Sequence, residues 1–188
     1  MTAEIEIERH LAELRRLIDP APGTPPRYEW PRLEAAVGFA LPTDYRRLMD
    51  EFGGGYLDDH LYLVEPDCPN PHYDFASHAA ERIEALEYLW GDGFEQPPPE
   101  LAEGTGARAL PWAATDNGEC LFWLARPGKA PDEWTVMVNE GRGPYWESFD
   151  VGCLKFLVGV MTGRIDSEIL AYCLTVPRHT YVPILPLP

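Results

Sequence analysis

The clearest pattern along the chain is a pair of short apolar runs separated by a turn. Residues 110–114 and 120–125 are apolar and aromatic, and the sequence Asp116-Asn117-Gly118 lies between them. Asn and Gly tolerate the positive φ values that the tight turn of a two-stranded hairpin requires. The pattern therefore predicts a buried β-hairpin, around which the rest of the chain is arranged.

Helical periodicity predicts α-helices on both sides of this hairpin. Apolar residues recur at spacings of three and four in six segments, which are residues 2–18, 31–37, 41–52, 77–91, 151–163 and 166–173. Ser77 and Asp150 are expected to cap two of these helices. The run Gly53-Gly54-Gly55 is expected to end a third helix rather than to bind phosphate, because phosphate-binding glycines precede a helix.

Shorter segments have the composition of strands. They are residues 61–64 before the hairpin and residues 134–138 and 145–149 after it. The chain thus runs through helices, one strand, one helix, consecutive antiparallel strands and helices again. That order predicts an α+β fold, with a single domain in which helices pack around a mainly antiparallel central sheet.

Composition divides the chain into three parts. Residues 1–26 are expected to form an N-terminal helix and a proline-rich linker packed on the domain, residues 27–176 the α+β domain, and residues 177–188 a proline-rich tail. Two alternatives stay open for the tail, which either lies extended along the body or is disordered. Residues 92–106 hold many prolines and few apolar side chains, and they predict a surface excursion.

Length and hydropathy set the general class of the protein. The chain has 188 residues, of which 45% are hydrophobic, and such a chain can bury about 70% of its unfolded surface in one core. No apolar run approaches the length of about 20 residues that a membrane span needs. The N-terminal stretch is acidic and lacks the features of a secretion signal, so we expect a cytoplasmic location and no membrane partner.

Net charge changes the functional picture most. The chain has 15 Lys and Arg against 31 Asp and Glu, which gives a formal charge of −16. Such a surface repels nucleic acid and attracts basic proteins, so we expect a basic protein partner and no direct nucleic-acid binding. The alternative that acidity only maintains solubility stays open, as does the choice between a monomer and a weak dimer.

Candidate catalytic and metal-binding residues form no known pattern. Cys68 and His72 are closely spaced, but no second pair of Cys or His ligands accompanies them, so no metal site is predicted. The glycine motifs that bind nucleotide phosphates do not occur, so no cofactor is expected. The four cysteines are expected to be free thiols. An enzyme is the least favoured hypothesis, and it would require a deep pocket lined by His60 or His72 with convergent carboxylates.

A set of short motifs extends from Trp30 to Gly163. They are Leu41-Pro42-x-x-Tyr45 with Leu48, Phe52 and Gly53-Gly54, then Asp116 with Gly118, then Ser148-Phe149 before a helix that ends at Gly163. Together they resemble the SUKH superfamily, the Smi/Knr type of protein. The resemblance implies an α+β sheet surrounded by helices. It also implies either a bacterial immunity protein that neutralises a cognate polymorphic toxin, often a nuclease, or a regulatory scaffold that binds several cellular partners.

Carboxylates in connecting segments are the candidate partner-binding residues. They are Asp58, Asp59, Glu65, Asp67, Asp92 and Glu95. If loops at one end of the sheet gather these charges, the resulting acidic field can occlude a toxin or another basic protein. The alternative is that the charges are scattered and solvated, and then each change alters stability by less than about 0.5 kcal/mol.

Overall fold

The computed structural model describes residues 2–19, 27–174, 176 and 178–184, and it shows the predicted α+β fold. Its helices are α1 (Ala3–Leu17), α2 (Trp30–Val37), α3 (Thr43–Phe52), α4 (Phe75–Gly91) and α5 (Cys153–Met161). Its strands are β1 (Ile18–Asp19), β2 (Gly55–Leu57), β3 (Leu61–Leu63), β4 (Arg108–Thr115), β5 (Cys120–Ala125), β6 (Thr135–Asn139), β7 (Trp146–Phe149) and β8 (His179–Pro183).

The strands form one sheet in the order β1-β8-β2-β3-β4-β5-β6-β7. Every neighbouring pair is antiparallel except β1 and β8, which run parallel. The prediction of a mainly antiparallel central sheet is therefore confirmed. Because β2 to β7 follow one another in space as they do in sequence, alternate connections between them fall at the same end of the sheet.

The predicted hairpin lies at the centre of this sheet. β4 pairs with β5, with Ala114 opposite Cys120, and Gly118 in the turn has a φ of 108°. Trp112 and Trp123 on the two strands are completely buried. Their rings stack with centroids 6.4 Å apart, and burial of such large side chains makes the hairpin the core of the fold.

Helices pack around the sheet. α1, α3 and α5 contact one another, and α4 packs against β4. Leu11 and Leu14 of α1 are buried, so this helix lies on the body of the domain. Tyr45 of α3 is completely buried, and its hydroxyl donates a hydrogen bond to the carbonyl oxygen of Val64 at 2.5 Å. The predicted linker at residues 20–26 lies outside the described residues.

The two predicted helix caps are wrong. Asp74, not Ser77, caps α4, and its carboxylate accepts a hydrogen bond from the N–H of Ser77 at 2.9 Å. Asp150 does not cap α5, because the carboxylate of Asp44 from α3 accepts a hydrogen bond from the N–H of Leu154 at 3.1 Å. Tertiary packing thus supplies a capping group that lies far away in the sequence.

The predicted helix over residues 166–173 is replaced by successive turns. Side chains satisfy the backbone N–H groups that a helix would leave free at its start. The carboxylate of Glu147 accepts from the N–H of Glu168 at 2.8 Å, and the hydroxyl of Ser167 accepts from the N–H of Leu170 at 3.2 Å.

Three strands, β1, β2 and β8, were not predicted, and glycine residues bear on β2. Gly53 ends α3 with a φ of 70°, as expected, but Gly55 already begins β2. A Cβ at Gly55 would lie 2.4 Å from the ring of Tyr181 in β8, so this close approach requires glycine. β8 itself lies between β1 and β2, so residues 179–183 of the predicted tail are extended and belong to the sheet.

Residues 92–106 form the predicted excursion between α4 and β4. They contain one turn of 3₁₀ helix, Pro99–Leu101. The hydroxyl of Ser148 donates to the carboxylate of Glu100 at 2.9 Å, which attaches the excursion to β7. In the described ranges, none of the helices has the length and apolar character needed to cross a membrane.

Candidate functional site

Three connections between strands meet at one end of the sheet. The register shows this through the pairs Leu57 with Leu61, Leu61 with Thr115, Ala114 with Cys120, Cys120 with Asn139, and Asn139 with Trp146. Residues 58–60, 116–119 and 140–147 therefore lie side by side. Residues 166–173 and the start of β8 contact them. We call these segments the acidic end. It includes residues 178–180, which contain the first residues of β8.

Carboxylates dominate the acidic end. They belong to Asp58, Asp59, Asp116, Glu119, Glu140, Glu147, Asp166 and Glu168, whereas the guanidinium groups belong to Arg142 and Arg178. Eight negative and two positive charges leave a formal charge of −6 when the histidines are neutral. More than a third of the net charge of −16 is thus concentrated at one end of the sheet.

The β2–β3 turn partly buries one aspartate and exposes the other. Asp58 and Asp59 have φ values of 52° and 59°, a backbone conformation that Asp tolerates better than most residues. The carboxylate of Asp58 accepts a hydrogen bond from the N–H of Thr180 at 2.8 Å and lies 2.6 Å from Nδ1 of His179. Asp58 therefore attaches the turn to β8, and Asp59 stays on the surface.

Glu119 is a buried carboxylate in the β4–β5 turn. It is 6% exposed and accepts hydrogen bonds from the hydroxyl of Thr115, from Nδ2 of Asn117 at 2.8 Å and from the hydroxyl of Tyr172 at 2.8 Å. Burial on its own raises the pKa of Glu119, but these hydrogen bonds together outweigh it and hold the pKa below its ordinary value. Glu119 is therefore ionised at neutral pH and fixes Tyr172 beside the turn.

Glu147 attaches residues 166–173 to β7. Its carboxylate accepts a hydrogen bond from the hydroxyl of Ser167 at 2.5 Å, in addition to the N–H of Glu168. The hydroxyl of Tyr145 donates to the carboxylate of Glu168 at 3.3 Å. These contacts bring Tyr145 and Glu168 onto the same surface as the strand turns.

Two tyrosines are exposed among these charges. Tyr145 is 45% exposed and Tyr172 is 48% exposed. The ring of Tyr172 also lies 6.2 Å from the ring of His60, measured between centroids. Exposed aromatic side chains surrounded by polar groups are typical of the centres of protein interfaces. The acidic end therefore combines a negative field with two aromatic anchors.

The six predicted partner-binding residues lie in three places. Asp58 and Asp59 belong to the acidic end. Glu65 is buried, accepts a hydrogen bond from the hydroxyl of Tyr28 at 2.5 Å, and lies with Asp67 beyond the other end of β3. Asp67 is exposed and pairs with Arg32.

Asp92 and Glu95 form the third place, in the segment that follows α4. This helix has 17 residues and begins beside Glu65, where the N–H of Phe75 donates to the carbonyl oxygen of Glu65. At 1.5 Å per residue, its two ends are about 25 Å apart. The structure therefore does not gather the six predicted residues into one group.

Several residues of the acidic end were missed from the sequence. Asp116 suits a turn, so its residue type indicates no more than a turn. Strand register is the signal that could have identified Asp116 as part of the acidic end, because turns between consecutive antiparallel strands alternate between the two ends of a sheet. Strand register gives no signal for Asp166, Glu168 and Tyr172. They reach the acidic end through the contacts of Glu147 and Glu119.

The residues considered for catalysis or metal binding are dispersed. His60 and His72 are exposed, and Nδ1 of His60 lies 3.4 Å from the carboxylate of Asp116. A cavity of about 600 Å³ is lined by His10 and by neither of these histidines. All four cysteines are free, and burial raises the pKa of the Cys120 thiol to about 12. Where the chain is described, no group of three or more His, Cys, Asp and Glu side chains is arranged to hold a metal ion.

Comparisons with known proteins leave the family open. No family model, curated protein or solved structure matches the chain. The resemblance to the SUKH superfamily therefore stays a prediction that rests on the short motifs. The fold and the acidic end are the properties from which a function can be argued.

Proposed function

We propose that this chain is a non-enzymatic binding protein, and specifically an immunity protein that neutralises a cognate polymorphic toxin. One observation carries the proposal, namely that eight carboxylates and two exposed tyrosines lie together at one end of the sheet. The resemblance to the SUKH superfamily supplies the toxin as the partner. Because the acidic end is negatively charged, we expect the toxin to be a basic protein.

Electrostatics explains how such a surface neutralises a nuclease toxin. The active site of a nuclease attracts phosphate groups, so its field is positive. The carboxylates of the acidic end are negatively charged, as phosphate groups are, so the positive field attracts them too. Steering of this kind raises association rates by about tenfold to a thousandfold at low salt. A bound acidic end would then exclude the nucleic acid from the active site.

The two tyrosines supply the apolar part of the interface. The hydroxyl of Tyr172 is held by Glu119 and that of Tyr145 by Glu168. Side chains that are already ordered lose less conformational entropy on binding, so they contribute more to affinity. Truncation of a central aromatic anchor typically costs about 2 kcal/mol or more of binding free energy.

Co-expression with a toxin encoded by a neighbouring gene tests the proposal. The wild-type protein is expected to form a purifiable complex and to protect the cells. The triple variant Asp59→Lys, Asp116→Lys and Glu168→Lys, which reverses three carboxylates of the acidic end, is expected to protect poorly. The matched control is Glu81→Lys, Glu84→Lys and Glu87→Lys, which makes the same charge change on the exposed side of α4.

Three results would count against this function. If the toxin forms no complex and cells are not protected, the immunity role is wrong. If both triple variants lose protection equally, the acidic end is not the binding surface. A set of several weak partners, with no toxin gene nearby, would instead favour the regulatory scaffold.

A further inference from the structure

Strand β7 lies at an edge of the sheet. It pairs with β6 on one side, and the strand order shows no neighbour on its other side among the described residues. The outward N–H and C=O groups of an edge strand can pair with a further strand from another chain. β7 has four residues, whereas β1 at the opposite edge has two. β7 is therefore the longer of the two edge strands.

The register shows which residues of β7 face outward. In an antiparallel pair, residues whose backbone groups bond to the neighbouring strand alternate with residues whose groups point away from it. The N–H of Glu140 donates to the carbonyl oxygen of Tyr145 at 3.2 Å, so Glu147, two residues further along, also bonds towards β6. Trp146 and Ser148 therefore point away from β6. In the part of the chain that the structure describes, their backbone groups have no hydrogen-bond partner.

Aromatic rings and carboxylates flank this edge on both faces of the sheet. On one face, the ring of Trp146 lies 6.3 Å from a tryptophan ring of α4, and the hydroxyl of Ser148 bonds to Glu100. On the other face, the ring of Phe149 lies 4.8 Å from a phenylalanine ring of α5, and Glu147 projects on the same side as Phe149. Each face thus offers an aromatic ring and a carboxylate to the side chains of an added strand.

The charge around the edge favours a basic partner. Residues 98–104, 143–151 and 166–173 form the edge and the segments bonded to it. They contain six Asp and Glu and no Lys, Arg or His. A second copy of this chain is disfavoured, because each copy carries a charge of −16. Pairing of Trp146 with Ser148 of another copy would also place the two Glu147 side chains directly opposite each other, and like charges in that position are destabilising.

We propose that β7 accepts an extended segment of a partner protein as a ninth strand, and that this segment carries basic and apolar side chains. Main-chain hydrogen bonds to Trp146 and Ser148 supply affinity, and lysine or arginine side chains beside Glu100 and Glu147 supply specificity. Residues 140–147 of the acidic end lead into β7, so a partner bound at the acidic end can reach the edge. The inference rests on the proposed function only in identifying the partner as the toxin.

An NMR titration with a synthetic peptide tests the edge itself. The probe is the capped hexapeptide Lys-Lys-Val-Val-Lys-Lys, which presents lysine and valine on both faces of an extended strand. When it is added to the isotope-labelled full chain, the amide resonances of Trp146 and Ser148 are expected to shift and their hydrogen exchange to slow. The peptide with glutamate in place of lysine is expected not to bind. The proposal is overturned if the two amides do not respond, or if both peptides bind equally.

Two variants at one position separate strand pairing from electrostatic attraction. Ser148→Pro and Ser148→Ala both remove the hydroxyl that bonds to Glu100, but only proline removes the outward N–H, and it breaks no bond to β6. Urea unfolding checks that Ser148→Pro is folded. This variant is expected to bind the lysine peptide about tenfold more weakly than the wild type, whereas Ser148→Ala is expected to bind it as the wild type does. Equal affinity of the two variants would overturn the proposal.

The same variants, tested against the purified toxin, distinguish this inference from the proposed function. Tighter binding of the toxin to Ser148→Ala than to Ser148→Pro would show that the toxin supplies the added strand. If the toxin binds both equally, while reversal of Asp59, Asp116 and Glu168 weakens binding, the immunity function stands and the inference is wrong for this partner. If the toxin forms no complex at all, the proposed function is wrong, and the peptide titration alone decides whether β7 accepts a strand.

Discussion

Replacement of Glu119 by alanine is expected to destabilise the protein by about 3 kcal/mol. The change removes the acceptor of three hydrogen bonds, and a buried donor left without a partner costs about 1–3 kcal/mol. Asn117 and Tyr172 are exposed and can turn their donors to water, so each contributes a small loss. Thr115 is 3% exposed, so its hydroxyl cannot turn to water and contributes the largest part of the loss.

The stability that Glu119 contributes depends on pH, and the direction of this dependence is a second prediction that can be measured. The pKa of Glu119 is lower in the folded protein than its ordinary value, because the hydrogen bonds to its carboxylate outweigh its burial. The folded state therefore binds fewer protons than the unfolded state just below the ordinary pKa of a glutamate. The stabilisation is complete above that ordinary pKa and is lost as the pH falls through the lowered pKa. Glu119→Gln cannot ionise, so it is expected to lack this acid-dependent loss.

Urea unfolding followed by tryptophan fluorescence measures both effects at pH 7 and at pH 4. The control is Asp116→Ala, in the same turn, whose side chain is exposed and which we expect to change stability by less than about 0.5 kcal/mol. If Glu119→Ala is as stable as this control, Glu119 does not hold the turn together. If Glu119→Gln loses stability in acid as the wild type does, the pH argument is wrong.

Two further predictions concern the body of the fold. Gly55→Ala places a Cβ 2.4 Å from the ring of Tyr181, so urea unfolding is expected to show a loss of about 1–3 kcal/mol. Gly91→Ala is the control, because its Cβ would meet no atom of the described residues within 4 Å. Equal effects of the two variants would contradict the reasoning. Burial, with the charge of Arg82 acting in the same direction, lowers the pKa of His78 from 6.5 to about 4. Because the unfolded state binds more protons between these values, stability is expected to fall by up to about 3 kcal/mol as the pH falls through this range. An NMR titration of the His78 ring with a midpoint near its ordinary pKa would contradict that expectation.

Local pattern was sufficient to predict most of the helices and the central hairpin. Asn117 and Gly118 mark the hairpin turn, and the spacing of Tyr45, Leu48 and Phe52 marks α3, because both signals depend only on neighbouring residues. β8 could not be predicted in this way. Its strand character depends on pairing with β1 and β2, which lie more than 100 residues earlier in the chain.

The candidate site was also only partly predictable, because the sequence pattern reports local features and not contacts between distant residues. Charge and turn composition identified Asp58 and Asp59, which are local features. The contact of Asp58 with His179 joins residues 121 positions apart, and the cap that Asp44 provides for α5 joins residues 110 positions apart. Side chains that meet across such distances leave no periodic trace in the sequence. The grouping of acids at one end therefore became visible only with the strand register.

The rate of association with the purified toxin, measured by stopped-flow mixing, tests the central claim most directly. At about 0.1 M salt, where the Debye length is about 10 Å, the triple variant Asp59→Lys, Asp116→Lys and Glu168→Lys is expected to associate about tenfold more slowly than the wild type. At about 1 M salt, where the Debye length is about 3 Å, most of this difference should disappear. The variant Glu81→Lys, Glu84→Lys and Glu87→Lys is expected to associate at close to the wild-type rate under both conditions. An association rate that responds neither to the first triple variant nor to salt would contradict the claim that the acidic end binds the partner.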